Sequence, residues 1–356
     1  MTIDSYEAII ATLSDAEAST ALQELEQKLD SQPVLQTLID TYLRDGISLV
    51  LGAGVSSSCG APSWTELLLR LHAANAKVGG VDLSKISSVY AEAVASDGPL
   101  ISARLAASGI NDDSSRFKGL LRTEIYSQLT ATRSDLVREL ARLAQACEGH
   151  SGVRGLVTYN YDTLIEDEFD ELGRHYTRLD RTDRGVGHGI QVRHVHGFLG
   201  RSELPDEWVV LTERAYHKEY ASPFSWSNIV QLNAFRESSC VFVGLSMTDP
   251  NLRRLLEAAK QTATPQHYCF LRKTSTTALQ NNLDAAWQTR GRGKGKPAGK
   301  EWEQVEVRFR VAAAMADASR AAALLELGVH TIWYEDHDKL PPLIKSVREG
   351  KHGGAT

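Results

Sequence analysis

The stretch ISLVLGAGVSSSCGAPSW, from Ile47 to Trp64, decides the fold. Ile47 to Leu51 is a short apolar run that stops at Gly52-Ala53-Gly54, and a helical pattern begins at Trp64. Strand, tight turn and helix form the opening of an α/β nucleotide fold. Glycines after a strand let backbone approach a phosphate, and the amides of the turn and the next helix end face the anion. A dehydrogenase fingerprint wants glycine at 57, where Ser57 stands. No acid follows clearly at the ribose-binding distance, since Asp82 comes after a Gly-Gly break. The turn points to a dinucleotide without the hydride-transfer arrangement, or to a purely structural turn.

Ahead of this stretch, Tyr6, Ile9, Ile10 and Leu13 recur at helical spacing. So do Leu22, Leu25 and Leu29, then Val34, Leu35, Leu38, Ile39, Tyr42 and Leu43 after Pro33. Residues 1–45 are thus expected to form two or three amphipathic helices that pack on the main fold or on another copy of the chain. Behind it, Leu67 to Cys147 is helical in pattern, which sets a helical insertion over about 66–150. Strands are expected at Gly155–Tyr159, Val192–His196, Trp208–Leu211, Cys240–Leu245, His267–Leu271 and Val329–Tyr334. Alternation of strand and helix predicts an α/β, Rossmann-like, mostly parallel sheet with helices on both faces. The main domain is expected over 46–345 and a flexible tail over 346–356.

With 42% hydrophobic and 24% charged residues, the 356-residue chain has ample material for a core. A net charge of -6 excludes a protein whose main work is gripping nucleic acid by charge. Only Thr289 to Pro297, where glycines alternate with basic residues, offers local contact with nucleic acid or an acidic partner; otherwise it is a solvated loop. Cys59, Cys147, Cys240 and Cys269 are too scattered for a zinc site or a disulfide framework. No apolar run reaches membrane-spanning length and MTIDSYEAII has no basic leader region, so a cytoplasmic location is expected, with no membrane partner.

Three further segments carry chemistry. In TYNYDTLIE, Thr158 to Glu166, the amide of Asn160 and the carboxylate of Asp162 stand two apart at a strand end and project to one side. They can hold a ribose, a water or a carboxamide, and Asp162 reads equally as a helix cap. In His194-Val195-His196-Gly197, two histidines alternate along a strand. One of them as general base is more economical than a metal pair, because no thiol or carboxylate stands close in sequence; His194 also reads as a satisfied core histidine. In VFVGLSMTDPNL a buried strand ends at Gly244, Ser246 lies in the turn as a nucleotide contact, and Asp249-Pro250 reads as N-cap and first helical residue.

These four segments, in this order, resemble the sirtuin superfamily. GAGVSSSCGAPSW is similar to its phosphate loop, YNYDTLIE to its Asn-x-Asp motif, His196-Gly197 to its His-Gly and GLSMTD to its later Gly-x-Ser turn. The resemblance implies that Gly52, Ala53, Gly54 and Ser56 cradle the phosphates of NAD, with Gly244 and Ser246 beside the adenosine. It assigns Asn160 to the nicotinamide ribose and attacking water, Asp162 to the carboxamide, and His196 to the general base. Deacylating sirtuins carry a four-cysteine zinc ribbon between the second and fourth motifs, where this chain has only Cys240. That departure, and ELPDEWVVLTERAYHKEY after His196, resemble bacterial antiphage sirtuin-like effectors, including those partnered with HerA-type ATPases. The implied activity is NAD hydrolysis to nicotinamide and ADP-ribose without zinc, in a bacterial homo-oligomer. A zinc-less protein deacylase or ADP-ribosyltransferase, and a non-catalytic NAD-binding scaffold, are the competing readings.

Overall fold

A computed structural model describes residues 13–75, 99–107, 114–131, 133–145, 152–181, 187–204, 207–260, 265–276 and 300–351. Tyr6, Ile9 and Ile10, Cys147 and the Gly/basic stretch 289–297 lie outside the described residues.

In chain order the helices are α1 (Asp15–Lys28), α2 (Gln32–Arg44), α3 (Ala53–Ser57), α4 (Trp64–Asn75), α5 (Pro99–Ala106), α6 (Ser115–Tyr126), α7 (Asp135–Leu143), α8 (Leu164–Glu171), α9 (Glu213–Ala221), α10 (Trp226–Glu237), α11 (Pro250–Lys260), α12 (Lys300–Leu325) and α13 (Leu340–Glu349). The strands are β1 (Ile47–Leu51), β2 (Val153–Thr158), β3 (Tyr176–Leu179), β4 (Ile190–His194), β5 (Gly197–Phe198), β6 (Trp208–Val209), β7 (Ser239–Val243), β8 (His267–Arg272) and β9 (Val329–Tyr334). Local chemistry sets many of the starts. Ser14 and Glu17 close a capping box on α1, and Ser114, Ser134, Thr212 and Ser225 each accept a backbone N–H at the head of a helix.

Seven strands form one sheet in the order β3-β4-β2-β1-β7-β8-β9, with every neighbouring pair parallel. The Rossmann-like α/β expectation holds. Period-two alternation sends successive residues of a strand to opposite faces. Leu49, Leu51, Leu156 and Val243 pack with α2, α7, α8 and α13, while Val50, Val157 and Phe242 pack with α10 and α11. Each such buried side chain contributes about 1.5–3 kcal/mol against remaining exposed.

The chain runs from β1 to one side through β2 and β4, then returns to place β7 on the other side of β1. The winding direction reverses between β1 and β7, and open α/β sheets hold their ligands in the crevice outside the carboxyl ends of the strands at such a point. Helices α4, α5 and α6 fill the interval between β1 and β2 and bury Leu68, Phe117 and Leu121 against Tyr161, Leu199 and Leu211 from the crevice side. The inserted helices therefore pack on the loops that carry the candidate site.

Several expectations change in detail. Trp208–Leu211 shortens to the two-residue β6, which pairs antiparallel with β5 in a separate ribbon instead of joining the main sheet. The strand expected over 192–196 ends at His194, and 195–196 form a turn, so the two histidines do not continue one alternation. The edge strand β3, half-exposed and carrying Arg178, has no clean apolar pattern to announce it. Helix α2 buries Leu35, Leu38, Ile39 and Tyr42 in the main core, so the helices before residue 45 pack on the fold itself. Helix α13 runs to Glu349 with Val347 buried, which carries packing past the expected boundary at 345.

Candidate functional site

The crevice floor is made by two loops pressed together. Gly54 N–H donates to Gly244 O at 2.9 Å and Gly52 N–H to Val243 O at 3.0 Å. A Cβ on Gly244, which has φ +72, would stand 2.6 Å from Val55 N and 2.9 Å from Gly52 O. A Cβ on Gly54 would stand 2.8 Å from Gly244 Cα. The glycines are thus required first by the contact between loops. Two of the amides that the sequence pattern offered to phosphates are already engaged across it. Ala53, the first residue of α3, is exposed beside them.

Above this floor lies a hydrogen-bond relay. Asn160 Nδ2 donates to Gly52 O at 3.0 Å and to Ser56 Oγ at 2.9 Å. The Ser56 hydroxyl donates in turn to Asp162 Oδ2 at 2.6 Å, and Asp162 Oδ1 accepts Leu164 N–H at 3.1 Å. Both Nδ2 hydrogens are used, so the amide orientation is set by its acceptors. What Asn160 has left to offer a ligand is Oδ1, an acceptor with no protein partner among the described residues. Asn160 and Asp162 do point to one side, since both reach the same hydroxyl. Asp162 also starts α8, through a turn at Leu164 one residue ahead of the cap position of Thr163. Its carboxyl group is buried behind Ser56. Burial pushes its pKa up, and the hydrogen bonds from Ser56 and Leu164 oppose that rise.

His196 stands in the turn after β4, the strand that neighbours β2. Its backbone O accepts Val210 N–H at 2.7 Å. The ring lies edge-on to Tyr159, with centroids 4.5 Å apart, and 6.5 Å from Tyr216 of α9. Burial pushes the imidazole pKa below its ordinary value, with Asp249 and then Glu219 pulling the other way. A neutral imidazole is the form that accepts a proton. Gly197 follows because its φ is +103 and a Cβ there would stand 2.0 Å from Trp208 O. The ribbon of β5 and β6 is locked to the crevice by Tyr161, whose hydroxyl donates to Val210 O at 2.8 Å and whose backbone O accepts Leu199 N–H at 2.8 Å.

On the β7 side, Ser246 is exposed and its hydroxyl meets Thr248 Oγ1 at 2.7 Å. Met247 beside it holds φ at 59, in the left-handed region that side chains with a Cβ rarely adopt. Asp249 caps α11, accepting Leu252 N–H at 2.7 Å, and Pro250 is the first helical residue, as expected. The carboxylate also accepts the Tyr216 hydroxyl at 3.0 Å.

The structure therefore joins Gly52, Ser56, Asn160, Asp162 and Gly244 into one bonded unit. It sets His196 beside Tyr159, the residue before Asn160. Ser246 stays apart from that unit. Sequence reasoning missed Tyr159 and Tyr216, the aromatic walls of His196; Tyr216 is the buried residue of α9. It also left open His194, which is fully buried with both ring nitrogens partnered, Nδ1 to Asn160 O at 3.0 Å and Nε2 to Glu166 Oε1 at 2.6 Å.

Residues 154–291 match the family described as SIR2-like domain. Two relatives, each named NAD(+) hydrolase ThsA, are 23% identical to the chain. The one from Acinetobacter baumannii (strain 532279) aligns over 273 residues, 74% of this chain and 49% of the relative. The one from Bacillus cereus (strain MSX-D12) aligns over 270 residues, 72% of this chain and 50% of the relative. The chain spans about half the length of the curated relatives it matches. The parallel sheet carries the four motif segments just after β1, β2, β4 and β7, and over residues 154–291 the chain is similar to the SIR2-like domain family.

Proposed function

We propose that this chain cleaves the bond between nicotinamide and ribose in NAD and passes the ribose to water, releasing nicotinamide and ADP-ribose. The observation that carries the reading is the fixed amide of Asn160, held by Gly52 and Ser56 so that Oδ1 alone is left for substrate. The two relatives named NAD(+) hydrolase support the choice of substrate.

Nicotinamide leaves as a neutral molecule from a cationic precursor, so no general acid is needed at that step. The ribose becomes positively charged as the bond lengthens. An acceptor oxygen held ready at the sugar stabilises that charge more in the transition state than in the ground state. Asn160 Oδ1 would fill this role and orient the attacking water or a ribose hydroxyl. His196, neutral through burial, would take the proton as the new C–O bond forms. The bonded partners of Asn160 need no rearrangement during the reaction. In the same proposal the phosphates lie along Ala53 and the first turn of α3, with Gly244 and Ser246 on the adenosine side. Asp162 acts on the nicotinamide end through Ser56. The cellular role would be depletion of NAD as an antiphage effector in a bacterial cytoplasm, as a homo-oligomer with a HerA-type ATPase as partner. The resemblance in the motifs supports this last part.

The test is incubation of the purified full chain with NAD, alone and with an acyl-lysine peptide, with nicotinamide, ADP-ribose and deacylated peptide measured. Release of both nicotinamide and ADP-ribose without peptide is expected. Nicotinamide release that depends on peptide would establish the deacylase reading instead, and tight NAD binding without turnover the scaffold reading.

A further inference from the structure

We infer that Glu166 and His194 form a buried positioning pair that holds the backbone of Asn160, and through it the catalytic amide, in its working place. The inference deepens the NAD-cleaving reading and rests on it for the meaning of the amide.

His194 closes β4 with 0% exposure, and Glu166 sits in the first turn of α8 at 2%. Their contact, Nε2 to Oε1, is 2.6 Å long. On the far side of the ring, Nδ1 faces Asn160 O at 3.0 Å. A carbonyl oxygen can only accept, so Nδ1 carries hydrogen. The 2.6 Å contact then holds a second proton between imidazole and carboxyl, and the ring cannot turn over without losing both partners. The remaining carboxyl oxygen, Oε2, is buried with no hydrogen-bond partner among the described residues.

The pair is a poor device for stability alone. Buried ionisable pairs are often matched or exceeded in stability by apolar groups of similar volume, and in some proteins they instead fix one defined arrangement. What this pair positions is plain from its reach. Asn160 N–H is bonded to Thr158 Oγ1 at 3.0 Å, its carbonyl to His194, and its side chain to Gly52 and Ser56. Every polar atom of the residue except Oδ1 is tied down. Of these ties, the one through His194 reaches β4, and through Glu166 it meets the first turn of α8. His194 leads within two residues to His196, so the same contact ties the backbone of Asn160 to the segment that carries His196. Glu166 and His194 touch no substrate; they act through Asn160.

The experiment compares the full chain with Glu166→Gln and with the volume-matched double substitution Glu166→Leu/His194→Phe. Glutamine can donate to Nε2 while Nδ1–H still donates to Asn160 O, so it preserves the geometry. The double variant fills the space and removes the hold. Two readouts are taken: kcat and KM for NAD on folded protein, and the NMR signals of the Asn160 side-chain amide, assigned by their loss in Asn160→Ala. In the double variant, kcat is expected to fall about 10- to 100-fold with KM changed less than about threefold, as a reacting group drifts by a fraction of an ångström. The amide signals are expected to shift or broaden. Glu166→Gln is expected to keep the amide signals in place and kcat within about threefold of the parent. A folded double variant with unmoved amide signals overturns the proposal whatever its activity, as does unchanged kcat. If the parent chain itself turns over no NAD, the NAD-cleaving reading fails, and the amide signals still decide whether the pair positions Asn160.

Discussion

Asn160 and Ser56, 104 positions apart in sequence, are joined by a hydrogen bond of 2.9 Å in which the amide donates and the hydroxyl accepts. The direction matters, because the Ser56 hydrogen is committed to Asp162. A serine that donates to a carboxylate can only accept from the amide, and this choice turns the amide oxygen outward.

Asn160→Asp is therefore expected to be more damaging than its size suggests. The carboxylate cannot donate to Gly52 O or Ser56 Oγ, and it adds a second charge near the buried Asp162. NAD turnover is expected to fall at least about 100-fold, in the range seen when a preorganised polar group is lost. Nicotinamide release, measured beside a circular-dichroism spectrum that shows the fold retained, checks it.

Gly244→Ala is expected to destabilise the chain by about 2–3 kcal/mol, from a left-handed backbone plus a Cβ pushed into Val55 N and Gly52 O. Gly152→Ala provides the comparison, since Gly152 also has positive φ (+64) but nothing within 4 Å of the added carbon. It is expected to cost only the backbone part, about 1 kcal/mol. Urea unfolding of both variants measures the difference, and equal losses would show that the two loops do not interlock.

The pH profile of turnover is expected to follow His196. Burial lowers its pKa, so the neutral base persists below about pH 6.5 and the acid limb of kcat/KM lies under that value. Glu219 pulls the pKa upward, so Glu219→Gln is expected to move the acid limb further down. A limb that moves up with this substitution would mean that another group is titrating.

Stability is expected to fall as pH drops from 6.5 to about 4, through His267. Burial first, and His330 next, lower its pKa to about 4, and its Nδ1 accepts the backbone N–H of Cys240 at 3.1 Å. The unfolded chain takes up this proton near pH 6.5 and the folded chain only near 4, so the folded state loses up to about 3 kcal/mol across that window and nothing above it. His267→Asn, which can still accept from Cys240, is expected to flatten the dependence in urea titrations at pH 7, 5.5 and 4.5.

Much of this molecule is readable along the chain because its strands are buried on both faces. Ile47–Leu51 and Ser239–Val243 are buried throughout, and the stretches Leu156–Val157 and Ile332–Tyr334 give β2 and β9 short apolar cores, so these strands declare themselves. The half-exposed β3 and the two-residue β5 and β6 carry no period long enough to register. The site divides in the same way. Asn160, Asp162 and His196 are polar residues just after apolar strands, which marks them. That Gly54 is needed for Gly244, that Asp162 lies behind Ser56, and that Glu166 meets His194 are contacts between distant segments, and no local pattern encodes them.

The position of β1 in the middle of the sheet has a consequence for biosynthesis. Ile47 must wait for Ser239 to complete its second edge, and Gly54 for Gly244 to complete the crevice floor. Ribosomes add about 5–20 residues per second and pairings between distant segments form late. A nascent chain thus carries its glycine turn for many seconds as an unfinished half, and whatever the finished crevice does to NAD begins only after release of most of the polypeptide.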